Sequence, residues 1–114
     1  MERMRQGDVV LFENAEAGEQ ARVVCRCAED GGFEIVRTTR GDLSWWCFGE
    51  SPHESRMLVG RDGARRLMNF YEAGSVSELT EMLGIVFVGI DAPERIWQVT
   101  RRLEMTENYF EKIA

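Results

Sequence analysis

Apolar residues recur with a period of two through the first half of the chain and with a period near 3.6 through the second, which predicts strands followed by helices. Asp8 to Phe12 is β-branched and apolar, Asn14 to Glu19 is a polar loop, and Gln20 to Ala28 is a second strand. Glu29-Asp-Gly-Gly32 supplies the residues a tight hairpin needs, and Phe33 to Thr39 returns. Arg40-Gly-Asp42 turns the chain into a fourth strand, Leu43 to Phe48, so these short local connections predict an antiparallel meander. Arg56 to Gly60 reads as a fifth, short strand.

Alternation also tells which strand faces are dry. In the second strand Ala21, Val23, Cys25 and Cys27 share one face and Arg22, Val24 and Arg26 the other. Leu43, Trp45 and Cys47 oppose Ser44, Trp46 and Phe48, which leaves neither face of the fourth strand polar. One layer of helices covers one face of a sheet, so this surplus predicts a homodimer seam or a partner site.

In the second half, Asp62 is placed to cap a helix with Ala64, Leu67, Met68 and Tyr71 on one stripe, ending at Gly74. Ser75 and Glu78 have capping-box spacing for a helix bearing Leu79, Met82 and Leu83, stopped by Gly84. The run Ile85 to Ile90 has no polar residue and reads as a buried strand. Asp91 to Glu94 is a second capping box, opening the longest helix, roughly Ala92 to Lys112, with Ile96, Val99, Leu103, Phe110 and Ile113 as its stripe. The expected architecture is a single α+β domain over residues 1–114: a mostly antiparallel sheet of four to six strands, helices packed on one face, and a long C-terminal helix.

Length and charge narrow the function classes. With 114 residues and 44% hydrophobic content the chain is expected to fold around a core too small to enclose a large cofactor, so function is expected on its surface and no cofactor is assigned. A formal charge of -6 opposes general attraction to nucleic-acid phosphates. There is no secretion-signal pattern at Met1 to Gly7 and no apolar run of bilayer length, and three cysteines suit a reducing compartment; a cytoplasmic protein without membrane attachment is expected.

Candidate chemistry is sparse. Cys25, Cys27, Cys47 and His53 have the composition of a structural zinc site, but one residue between Cys25 and Cys27 sets their sulfurs about 7 Å apart along a strand, and buried thiols explain the same pattern. No metal is assigned. His53 is the single histidine, and Ser51 and Ser55 beside it do not make a triad without an orienting carboxylate and an oxyanion hole. Gly60-Arg-Asp-Gly63 leading into a helix offers amides to a phosphate, yet it lacks the P-loop and dinucleotide patterns. Arg5 to Phe12 resembles the start of small SH3-like barrels of the toxin-endonuclease kind over those residues; no catalytic set follows, so the resemblance implies no activity.

The expected function is therefore a non-enzymatic protein-binding module. Its most concrete form is a small acidic inhibitor from a phage or mobile element, of the anti-CRISPR or anti-restriction type, that blocks a nucleic-acid-binding enzyme. The partner surface is assigned to Trp45, Trp46 and Phe48 with Arg61, Arg65 and Arg66, and to Glu104, Glu107 and Glu111, whose spaced carboxylates imitate phosphates. One alternative is a single-stranded nucleic-acid module using arginines, among them Arg22, Arg26 and Arg37 on the polar sides of strands, with Trp46. Another is a small hydrolase or phosphate-handling enzyme at His53 or Gly60 to Gly63.

Overall fold

The computed structural model describes residues 6–16 and 18–103, and the backbone of 109–112. Five strands form one antiparallel meander in the order β1 (Val9–Glu16), β2 (Glu19–Cys27), β3 (Phe33–Arg40), β4 (His53–Val59) and β5 (Tyr109–Lys112). Four helices accompany it: α1 (Asp42–Phe48) between β3 and β4, then α2 (Arg61–Tyr71), α3 (Val76–Val86) and α4 (Ala92–Arg102). The class is α+β, as the periodicity predicts. The sheet is open, with β1 and β5 at its edges.

The hairpins follow from local chemistry. Asp30 Oδ1 accepts from the Gly32 amide at 3.0 Å, and the Ala28 amide donates to the Gly32 carbonyl, which closes the β2–β3 turn. A Cβ at Gly32 would lie 2.2 Å from the Val59 carbonyl oxygen, so glycine is required where β3 begins beside β4. The segment expected as a loop after Phe12 continues β1 to Glu16, with a bulge between Val10 and Phe12 where the register against β2 shifts.

The core lies on one face. Val23 and Cys25 of β2, Phe33 and Ile35 of β3, and Met57 and Val59 of β4 are buried against Ala64 and Leu67 of α2, Leu79 and Leu83 of α3, and Ile96 of α4. The stripe read from the sequence for α2 is the stripe it buries through Ala64 and Leu67. Ser75 accepts from the Glu78 amide at 3.1 Å, as the capping box predicts, while Glu78 reaches back to the Gly74 amide at 3.0 Å. The Asp62 cap and the Asp91 box do not form: α2 follows Gly60 and α4 follows Asp91, neither with a side-chain cap.

Four expectations are corrected. Leu43 to Phe48 is helix α1, not a strand, because Gly41 at φ 103° and Gly49 at φ 74° bracket one short helix with Asp42 in its first turn. Gly84 does not stop α3; a Cβ there would lie 2.7 Å from Val9 Cγ1, so glycine lets the helix run close over β1. The run Ile85 to Ile90 is not a strand: α3 continues to Val86, Phe87 alone turns inward, and Ile85 is 80% exposed. The Gly89 amide donates to the Leu11 carbonyl of the sheet at 3.4 Å, and Arg95 holds the Val86 and Val88 carbonyls. The C-terminal helix is present but ends at Arg102, with Tyr109–Lys112 pairing as β5 against Ser55 to Leu58. Phe110 accordingly stands opposite Met57 in the sheet, and Ile113 lies outside the described residues.

The other sheet face is laced by ion pairs. Arg26 bonds Asp8 at 3.0 Å, Arg22 bonds Glu13 at 3.1 Å, and Arg56 lies 3.5 Å from Glu34. Val24 and Val36 lie buried among them.

Candidate functional site

On the helical face, the strands carry apolar residues at one end and polar residues at the other. Thr39 and Arg37 on β3, with His53 and Ser55 on β4, continue the same face as Ile35 and Met57, since Thr39 pairs His53 and Arg37 pairs Ser55. All four are buried. Arg37 therefore faces the core, against the expectation that it lies on a wet side. Its guanidinium donates to Glu94 Oε1 at 2.6 Å and to the Ile90 carbonyl at 3.1 Å, which ties the start of α4 to the sheet. Arg37 Nε has no hydrogen-bond partner among the described residues, and the guanidinium carbon sits 4.6 Å from the Phe48 ring centroid.

Helix α1 covers this polar end. Ser44 is fully buried; its hydroxyl accepts from Thr39 Oγ1 at 2.8 Å and donates its own proton to the Glu50 carbonyl. Phe48 stacks on His53 with ring centroids 4.2 Å apart and 10° between planes. His53 Nδ1 lies 2.7 Å from Glu50 Oε1; a carboxylate only accepts, so Nδ1 carries the proton of that bond. The Gly41 amide donates to Ser51 Oγ at 2.9 Å, and the Gly49 amide closes the helix on the Trp45 carbonyl. Short as it is, α1 is fixed at both ends and from beneath.

With Ser44 and Phe48 turned inward and Leu43 half-buried, Asp42, Trp45, Trp46 and Cys47 face outward. Trp45 is 58% and Trp46 88% exposed, and Cys47 is exposed beside them. The surplus apolar surface read from the sequence is real here, but it sits on a helix and not on a second sheet face. A further exposed apolar group, Ile85, Val86 and Val88, lies at the end of α3.

At the start of α1 is a depression of about 280 Å³ lined by Glu16, Gly18, Glu19, Gly41 and Asp42. Glu16 and Glu19 are cross-strand neighbours at the β1–β2 turn, and Asp42 precedes Trp45 and Trp46 by three and four residues, so it shares their side of α1. None of the three carboxylates is in an ion pair among the described residues.

The other assigned residues are dispersed. Arg61, Arg65 and Arg66 lie on α2, which starts from the Val59 end of β4, whereas α1 adjoins its His53 end; six residue steps separate these ends, about 20 Å. The tryptophans and these arginines do not form one patch. Arg66 donates to the Leu103 carbonyl at 2.7 Å. Arg61 and Arg65 line a depression of about 600 Å³ with Asp30 and Asp62, so two carboxylates answer its two arginines. Glu104 and Glu107 lie outside the described residues; Glu111 is in β5 opposite Arg56.

For metal chemistry, no group of three or more His, Cys, Asp and Glu able to hold an ion occurs among the described residues. Cys25 is buried in the core, where desolvation first, and the neighbouring Cys27, Asp8 and Glu34 after it, push its thiol well above its ordinary range. Cys27 and Cys47 are exposed. His53 bonds neither Ser51 nor Ser55, because its ring nitrogen is taken by Glu50 and its face by Phe48. The sequence pattern misses α1 because Leu43 to Phe48 is apolar at both strand and helix spacing; Gly41-Asp42 before this run and Gly49 after it are the signal that marks the helix. No protein-family model, curated protein or solved structure matches the chain.

Proposed function

We propose that the chain acts as a non-enzymatic protein-binding module whose anchor is the tryptophan pair of α1. The observation that carries this reading is two indoles, 58% and 88% exposed, on a helix held by the hydrogen bonds of Ser44 and by Phe48 on His53 instead of by its tryptophans. Rigid, exposed tryptophans bury large area at little entropic cost when a partner closes over them, which is why they dominate interface energetics. The most concrete version is an acidic inhibitor of the anti-CRISPR or anti-restriction type, occupying the basic groove of a nucleic-acid-binding enzyme. The nucleic-acid reading is disfavoured because Arg22, Arg26 and Arg37 are engaged in ion pairs with Glu13, Asp8 and Glu94.

Affinity capture from candidate host cells with the native chain and with the Trp45→Ala/Trp46→Ala variant, followed by rebinding of the purified partner, tests the reading. A partner retained by the native chain and lost by the variant supports it. A partner held equally by both, or inhibition of no candidate nuclease, overturns the surface or the inhibitor version respectively.

A further inference from the structure

The area that α1 leaves in water bears on what covers it. We infer that, before any other protein binds, a second copy of the chain occupies the tryptophan pair, with α1 packed antiparallel against α1 across a two-fold axis. This rests on the protein-binding reading above and deepens it, since it names an occupant of the same site. A tryptophan carries up to about 250 Å² of buriable surface, so exposures of 58% and 88% leave roughly 350 Å² of indole in water on each copy. Two copies meeting through α1 hide twice that. With apolar area at about 65% of a homodimer interface, the whole contact is on the order of 1,100 Å². That clears the roughly 1,000 Å² expected of a biological interface, at its weak and reversible end. Ile85, Val86 and Val88 do not reach it: at about 32 Å² per apolar carbon their exposed part is roughly 200 Å² per copy, on the order of 600 Å² for a pair.

Shape and charge set the arrangement. Trp45 and Trp46 are consecutive on a helix and so about 100° apart, a ridge that an identical ridge meets side to side. A two-fold axis between them sets Trp45 of each copy against Trp46 of the other. With the helices antiparallel, Arg40, which precedes α1, comes toward the copy's Glu50, which follows it; parallel helices would set Asp42 beside Asp42. Arg40 is exposed and in no ion pair among the described residues, and the Glu50 side chain is 30% exposed beside His53. A charge of -6 opposes the meeting of two copies, so salt strengthens this contact, the reverse of its action on an acidic surface entering a basic groove.

Sedimentation equilibrium of the full chain from about 5 to 500 µM tests this, with the weight-average mass expected to rise from one chain toward two. The dissociation constant is expected to fall at least threefold between about 50 and 500 mM salt. Indole emission shifts to the blue over the same concentration range, because Trp45 and Trp46 leave water. Trp45→Ala/Trp46→Ala is expected to weaken association tenfold or more, and Ile85→Ala/Val88→Ala, which trims the other exposed apolar group, less than twofold. Arg40→Glu is expected to weaken it at least threefold more than Arg65→Glu, the same change of charge on α2. A single-chain mass up to 500 µM, equal loss in the two alanine variants, association that weakens with salt, or equal effects of the two arginine variants overturns the inference. If capture of another protein still depends on Trp45 and Trp46 while the chain stays monomeric, the inference falls alone; if the chain stays monomeric and capture is equal in native and variant, the protein-binding reading falls with it.

Discussion

At the Phe33 and Val59 end of the sheet, α2, α3 and α4 put Leu67, Leu79, Leu83 and Ile96 inside; at the Thr39 and His53 end, α1 puts a serine inside and two tryptophans outside. The same sheet face meets both. The first end is held by burial of apolar area, at about 25 cal/mol per Å², along the inner stripes of its helices, while Phe70 on α2 and Ile85 and Val86 on α3 stay outside. The second is held by Ser44 to Thr39 and Glu50, by Phe48 on His53, and by Arg37 to Glu94. A helix fixed by polar bonds has no need of its tryptophans for stability. That division leaves the molecule an aromatic surface that is rigid and unspent.

The comparison breaks most visibly at the apolar end. Leu67 is fully buried between α2 and the sheet, so Leu67→Ala is expected to cost about 2–5 kcal/mol, read as a lower denaturation midpoint at unchanged slope. A cost below 1 kcal/mol there would show that α2 is not packed as a core helix.

The polar end gives a different signature. Ser44→Ala leaves the buried Thr39 hydroxyl without its partner and is expected to cost about 1–3 kcal/mol. Thr39→Val alone is expected to cost a similar amount, but the double variant less than the sum, because removing both partners leaves no stranded hydroxyl. Strict additivity in that cycle would mean that the 2.8 Å contact does not hold α1 to the sheet. The double variant is also expected to weaken partner capture, since α1 is then less fixed; a core variant that remains folded is not.

Titration separates the ends as well. Burial raises the Cys25 thiol above its ordinary 9.0, so the folded chain keeps its proton where the unfolded chain would lose it. Stability from this group is full below pH 9 and declines as pH rises beyond it, by up to about 1.4 kcal/mol per unit until the folded thiol itself ionises. Cys25→Ala is expected to lower stability overall and to remove that alkaline slope. Persistence of the slope in the variant would assign it to another group. A maleimide is expected to label Cys27 and Cys47 in the folded protein and Cys25 after unfolding alone.

What was legible in the sequence tracks how strongly each segment's pattern is tied to one face. The β2 and β3 strands, the α2 stripe and the Ser75 box were readable because apolar spacing or a cap fixes them locally. Two segments rich in apolar residues were not, Leu43 to Phe48 and Ile85 to Ile90. Hydrophobicity there does not report burial, since Trp46 and Ile85 are among the most exposed side chains, and strand and helix both leave such a run apolar on every side. The tryptophans were singled out by residue type. The grouping of Glu16, Glu19 and Asp42 was not legible, because pairing register and the Gly41 corner decide it and spacing does not.

The smallest expected effect on stability is the most informative about function. Trp46 is 88% exposed and Trp46→Ala removes neither a core contact nor a hydrogen bond described for α1, so its midpoint of unfolding is expected within about 0.5 kcal/mol of the native chain. Alanine has the higher helix propensity, which pushes the change toward a slight gain. Ile85→Ala, equally exposed at the end of α3, is the matched control: it too is expected to leave stability near native, but to leave partner binding unchanged. If Trp46→Ala lowers the midpoint by more than about 1 kcal/mol, the indole is part of the fold and α1 belongs with the apolar end. If both variants bind partner like the native chain, exposed aromatic area has been mistaken for an interface. Loss of binding in Trp46→Ala alone, at native stability, separates the end of the sheet that folds the molecule from the end that meets another.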